Sequence, residues 1–277
     1  MITIEDIAYV RYAVPDLDAA VGFMADFGLQ LSARTGSAIY MRAAGASHHV
    51  YIAEGAETSR GLGFGLLAAS RDDLALLAAE TGTRVEESGE PGGGLTVTLT
   101  DPAGNRVDVI HGLDALAPLP TREPIRMNAS GLYSRFNRTV RLQPGPAHVA
   151  RLGHVALYVP DIASSLAFYR DLLGMQIADT YYAGAEDNKV AVFLRCGLRQ
   201  RFADHHTLGL AQLPRAGFDH ASFEVLDWDD LMVGHDHLLR AGYKHRWGVG
   251  RHYDGSTSSI TGATPSATKS SATPTAT

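Results

Sequence analysis

The stretch "HVALYVPDIASSLAFYRDLLGMQI", residues 154–177, decides the fold once it is laid beside "YVRYAVPDLDAAVGFMADFGLQL", residues 9–31. Each begins with an apolar run of strand type that stops at Val-Pro-Asp. Each continues with apolar residues at helical spacing and ends at Gly-Met or Gly-Leu, where a further strand opens. Pro15 and Pro160 suit a strand end because proline donates nothing to a ladder. Asp16 and Asp161 stand where a side-chain oxygen can cap the first free amides of a helix. Gly28 and Gly174 fall where the helices close.

The likeness continues along both halves. "GASHHVYIA" (residues 45–53) answers "ADHHTLGLA" (203–211), and "LGFGLLAASRDDLALL" (62–77) answers "FDHASFEVLDWDDLMV" (218–233). A second strand-helix-strand unit therefore follows the first in each half. The chain is predicted to be α+β, with two domains each made of two βαβββ modules. The predicted boundaries are 1–112 for a non-catalytic domain, 113–150 for a Pro-bearing connection, 151–253 for a metal-binding domain and 254–277 for a tail.

The two halves differ in how they end. The first closes with "GGGLTVTLTDPAGNRVDVIHG" (92–112), two strands around the Asp101-Pro102 turn. The second supplies "GYKHRWGVGRHYDG" (242–255) and then runs into Ser, Thr, Ala, Pro and Gly. Such a segment offers too little apolar surface to offset the entropy of ordering the chain. The last module is accordingly predicted to be incomplete, residues 254–277 to be disordered, and the strand near 243–249 to be left as an exposed edge.

Composition narrows the partner. With 277 residues, 45% hydrophobic and 19% charged, the chain has room for two medium domains. A formal charge of -6 and a pI near 6.0 argue against nucleic-acid and anionic-membrane surfaces and for a small-molecule ligand. Cys196 is the single cysteine, which excludes an internal disulfide and a thiolate metal cluster and fits a reducing cytoplasm. No signal-like opening and no apolar run of about 20 residues is present, so the expected location is cytoplasmic.

Eight of the 12 histidines lie beyond residue 150. His154 and His220 stand early in the first strands of the two units of the second half, so pseudo-symmetric packing brings both imidazoles to one cleft. Asp108, on the last strand of the first half, marks where a third, acidic group comes from in such a frame. Two imidazoles and one carboxylate with other positions open is the ligand set of non-haem Fe(II) oxygen chemistry. In the first half Tyr9 and Phe64 take the places of His154 and His220, leaving the frame without ligands. A single strand histidine is more often a structural residue; the equivalence of two in repeated units outweighs that. His205 and His206 also read as a polar pair at a strand start, as His48 and His49 do. His235 and His237, two apart on a predicted helix, read as solvated.

"RLGHVALYVPDIASSLAFYRDLLGM", "DHHTLGLAQ" and "GFDHASFEV" together resemble the vicinal oxygen chelate superfamily, specifically its two-domain type I extradiol ring-cleaving dioxygenases. The resemblance covers residues 1 to about 253. It implies Fe(II), less often Mn(II), held by two His and one Glu. It also implies a catechol-type substrate cleaved with O2 beside its two hydroxyls, and a homo-oligomer. By motif position His154 and His220 would hold the metal, His206 would be the acid–base group, and His252 would stand near a substrate hydroxyl; no organic cofactor is implied.

The resemblance stops at the third ligand, because the family's Glu belongs on a final strand that the tail does not spell. The degenerate codons of the tail permit "HIFDYWRDPFGHKIERYTDSD" one reading frame over, and a single deleted base near Ser256 would convert one ending into the other. Little or no dioxygenase activity is therefore expected of the chain. The other readings are a metal-free module that binds an aromatic ligand, and a different metalloenzyme of the superfamily such as a glyoxalase I. The two-domain length disfavours the latter.

Overall fold

The structure is a computed structural model that describes residues 1–135, 137, 139–198, 201–252, 258–262 and 273–276. The first half runs β1 (Ile4–Val14), α1 (Leu17–Phe27), β2 (Gln30–Arg34), β3 (Ala38–Arg42), β4 (Tyr51–Gly55), β5 (Arg60–Ala68), α2 (Arg71–Thr81), β6 (Glu86–Glu87), β7 (Leu95–Thr100) and β8 (Arg106–His111). The second repeats it. There β9 (Val149–Val159) leads into α3 (Ile162–Leu166), which widens into a π-helical turn over Ala167–Leu172. β10 (Gln176–Tyr182), β11 (Lys189–Arg195), β12 (Leu208–Gln212), β13 (Gly217–Val225), α4 (Trp228–Arg240), β14 (His245–Arg251), β15 (Ser258–Gly262) and β16 (Thr273–Ala276) follow.

Local chemistry sets the joints. Asp16 accepts from the amide of Ala19 at the start of α1, and Asp161 accepts from Ala163 and Ser164 at the start of α3. Gly28 closes α1 at φ 120°, and a Cβ there would lie 2.1 Å from the carbonyl oxygen of Ala147, so this joint between the halves admits only glycine.

The two sheets have the same order, β2-β3-β4-β1-β5-β8-β7-β6 and β10-β11-β12-β9-β13-β16-β15-β14. In each, the two module-leading strands pair antiparallel at the centre, and each takes its own module's last strand as a parallel partner. β1 is buried without interruption from Ile7 to Val14, as a central strand covered on both faces must be. The halves share one apolar core. Phe27 meets Phe223 with ring centroids 5.6 Å apart, Phe64 meets Tyr169 at 6.2 Å, and the buried hydroxyl of Tyr169 donates to Asp101 at 2.6 Å. The connection is braced by Arg122, which grips Asp227 with two hydrogen bonds of 2.6 and 2.5 Å.

Two expectations are corrected here. The last module is not short of strands: β15 and β16 take the places of β7 and β8, and β14 pairs with β15 while standing at the edge of the sheet. A ladder is made of backbone groups, so the edge of β13 can be covered by a Thr-Pro-Thr-Ala segment that carries no amphipathic pattern. Within the tail, Ser258–Gly262 and Thr273–Ala276 take strand positions, while residues 254–257, 263–272 and 277 lie outside the described residues.

The second correction is one of register. Arg11 pairs with Gly63 and Ala156 pairs with His220, and the helix caps Ser70 and Asp227 keep the same offset. Gly63, not Phe64, is therefore the counterpart of His220. Phe64 instead packs between the halves, 1% exposed, beside Tyr169 and Phe218.

Candidate active site

Three elements of the second half converge on one cavity of about 280 Å³. Alternation along β9 sends His154, Ala156 and Tyr158 to the same face. A bulge in β13, between the residues opposite Leu157 and Ala156, sets Asp219 and His220 side by side on that face. The segment entering β12 adds His206, and His252 follows β14. Tyr181 and Phe193 supply an aromatic wall.

The imidazoles are close. Nε2 of His154 lies 3.2 Å from Nε2 of His220, and the ring of His206 is 4.2 Å from that of His154. Two nitrogens bound to one ion at about 2.1 Å lie about 3 Å apart when they meet near a right angle, so the first pair has the spacing of two ligands of one metal. Behind them, Nδ1 of His220 donates to Asp219 at 3.0 Å, and the hydroxyl of Tyr158 donates to the other oxygen of that carboxylate. This fixes the tautomer that turns the Nε2 lone pair of His220 inward.

His206 is oriented by a chain of hydrogen bonds. Asp179 can only accept, so Nε2 of His205 donates to it at 2.8 Å. Nδ1 of His205 is then an acceptor, and Nδ1 of His206 donates to it at 3.0 Å. Nε2 of His206 is left with its lone pair, as a base requires.

Burial first, and then the neighbouring imidazoles, hold His154 well below the ordinary histidine range. The same causes in the same order bring His206 down to about 4, and burial with His220 lowers His252. His154, His206 and His252 therefore present uncharged nitrogens at neutral pH, the form in which histidine binds a metal or takes a proton.

The third ligand is where the set fails. Asp108 lies opposite Gly65 in the β5–β8 ladder, and the equivalent place opposite Ser222 is held by Thr275. Asp219 is engaged behind His220, while Glu224 and Asp204 both pair with Arg151. Among the described residues no three His, Cys, Asp or Glu side chains gather into a set that could hold a metal ion. The two histidines fit a metal; among the described residues a complete site of two imidazoles and a carboxylate does not form.

All four histidines of the sequence reading thus line one cavity. Asp179 and the Tyr158–Asp219 pair were not anticipated, because they reach the histidines across strands or around a bulge and leave no local motif. His235 and His237 are not simply solvated: His237 bonds Asp26 of the first half at 3.0 Å, and Nε2 of His235 is buried.

Comparison with known proteins agrees with this architecture. The sequence matches the Glyoxalase/Bleomycin resistance protein/Dioxygenase superfamily over residues 6–109 and 151–267. Metapyrocatechase 2 of Cupriavidus necator is 32% identical over 259 residues, 91% of this chain and 75% of that protein. The 3-methylcatechol 2,3-dioxygenase of Pseudomonas putida is 30% identical over 173 residues, 61% of this chain, and the match spans about half, 52%, of that relative. Among solved structures, the 2,3-dioxygenase LapB from Pseudomonas sp. KL28 superposes with a TM-score of 0.79 at 18% identity, covering 100% of this chain and 93% of its own, a likeness of fold. The chain belongs to the glyoxalase/bleomycin resistance protein/dioxygenase superfamily, and its relatives include extradiol dioxygenases.

Proposed function

We propose that the chain has the frame of an extradiol ring-cleaving dioxygenase for a catechol-type diol and O2, impaired because the carboxylate ligand is missing. The observation that carries this reading is the approach of His154 and His220 to 3.2 Å in an aromatic-walled cavity beside His206. His154 and His220 are the residues that would hold Fe(II), or Mn(II). The ion, when bound, supplies Lewis acidity and a path for electrons between ring and oxygen.

The chain's own groups have separate tasks. Nε2 of His206 takes the proton of a catechol hydroxyl near neutral pH, with the charge developed on its ring balanced through His205 toward Asp179. Tyr181 and Phe193 bury the ring faces and keep water out. His252 stands at the cavity wall, within reach of a hydroxyl of the bound diol. A single-base deletion near Ser256 accounts for the missing glutamate, and coding DNA for Thr257 onward that cannot spell the family ending one frame over contradicts that account.

A metal-free aromatic-binding module is the second reading, favoured by the incomplete ligand set. Anaerobic Fe(II) addition followed by catechol separates the two. A catecholate-to-iron charge-transfer band supports the dioxygenase frame. Catechol binding indifferent to iron supports the module and overturns the first reading.

A further inference from the structure

A second cavity, about 430 Å³, opens where the halves meet, and its lining is unlike the rest of this acidic chain. Arg60 enters it from the first residue of β5, Arg215 from the β12–β13 turn and Arg246 from β14. Gly61, Asn105 and Phe218 form its floor. The one acid in the lining, Asp219, already accepts from Tyr158 and His220. Three arginines and one committed carboxylate thus share the lining.

Several arginines elsewhere are matched to acids: Arg11 with Glu54 and Glu90, Arg122 with Asp227, Arg151 with Asp204 and Glu224. Arg60 and Arg215 make no ion pair among the described residues. The walls are fixed relative to one another, because a Cβ on Gly61 would come within 2.2 Å of the Phe218 ring, so these two equivalent strand positions lock the halves at the cavity floor. Planar guanidinium forks on a preset wall suit a group with several oxygens around one centre.

We propose that this interdomain cavity binds an oxyanion, the carboxylate or phosphate group of a small molecule, through Arg60, Arg215 and Arg246. The anion has two sources. Tyr158 and Asp219 line both cavities, so it can be an acidic side chain on a ring compound whose diol lies among the histidines; this form alone rests on the catechol reading. It can also be a separate small anion.

Isothermal titration of the full chain at fixed ionic strength tests this, with inorganic phosphate as the first probe. Phosphate is expected to bind saturably at one per chain. The double variant Arg60→Gln/Arg215→Gln lowers that affinity at least about tenfold, a loss of about 1.4 kcal/mol. Arg84→Gln, at a surface pair with Glu86, leaves it unchanged, and Arg60→Lys/Arg215→Lys, which keeps the charge, retains part of it. Thermal melts of each variant confirm that folding is intact. No saturable phosphate binding, or equal affinity in the parent and the glutamine double variant, overturns the proposal. The second probe pair is 3,4-dihydroxyphenylacetate and 4-ethylcatechol. A preference for the acid that the double variant loses assigns the anion to the ring compound. Phosphate binding without that preference assigns it to a separate molecule. Phosphate binding needs neither iron nor a diol, so its outcome stands apart from that of the dioxygenase reading.

Discussion

The two halves place different side chains at the same three points of one frame. Where the second half has His154, Ala156 and His220 around an open cavity, the first has Tyr9, Arg11 and Gly63 in a filled one. Arg11, 3% exposed, bonds Glu54 and Glu90, and Tyr40 donates to Glu90 as well. Tyr9 donates to Asp108 at 2.8 Å, and Asp108 also accepts from Thr98 and Arg106. Arg11 and the tyrosines and acids it gathers stand where the second half has Ala156 and its cavity. Each half keeps what the other lacks: the first has the carboxylate, the second the imidazoles.

That contrast makes the first half a structural body whose polar interior is costly to disturb. Arg11→Met leaves Glu54 and Glu90 without their cation, and is expected to lower unfolding free energy by about 3 kcal/mol or more, read by urea denaturation. A change under about 1 kcal/mol would mean that water already satisfies those acids and that the plug is not a unit.

The second half should respond in binding rather than in folding. Asp179→Ala removes the acceptor that sets the tautomers of His205 and His206, and is expected to weaken catechol binding roughly fivefold, about 1 kcal/mol. Binding of ethylbenzene, which has no proton to give, should be unchanged. Equal losses for both ligands would reduce Asp179 to a packing role.

Both halves hold buried histidines that acid must charge. His49, fully buried between Tyr9 and Tyr40, is brought down to about 3 by burial and by His48. In the unfolded chain an ordinary histidine takes a proton near 6.5, so between about pH 6.5 and 3 the unfolded state binds one proton more. Stability falls as pH drops through that window, by at most about 1.4 kcal/mol per unit from this residue, and the effect vanishes above it. His49→Phe should flatten the slope of melting temperature against pH between 6 and 4; an unchanged slope assigns the acid sensitivity to other groups.

Much of this frame was legible in the sequence because it is local. The Val-Pro-Asp joints, the caps and the helical spacing recur within short windows, the approach of His154 and His220 follows from the repeat, and His206 and His252, in the same cavity, were marked by the family resemblance. What escaped is set by pairing between distant segments. β5 and β13 carry the same bulge, at Leu62 and at Asp219, and the offset between them is fixed by their pairing with β1 and β9 rather than by any local motif, so the sequence alone set Phe64 one residue out, opposite His220. β15 and β16 escaped because a ladder is indifferent to side chains. Asp179 reaches His205 from another strand, and the arginines of the interdomain cavity come from three separate elements, so no motif marks either group.

The central claim is that the missing carboxylate, and not the fold, limits the site. The direct measurement is anaerobic equilibrium binding of Fe(II) to the parent chain and to Thr275→Glu, which puts a carboxylate at the ladder position equivalent to Asp108. The account predicts that the parent holds well under one iron per chain at concentrations where Thr275→Glu is filled. Tight, stoichiometric iron in the parent, with catechol cleaved as fast as by the variant, would contradict it.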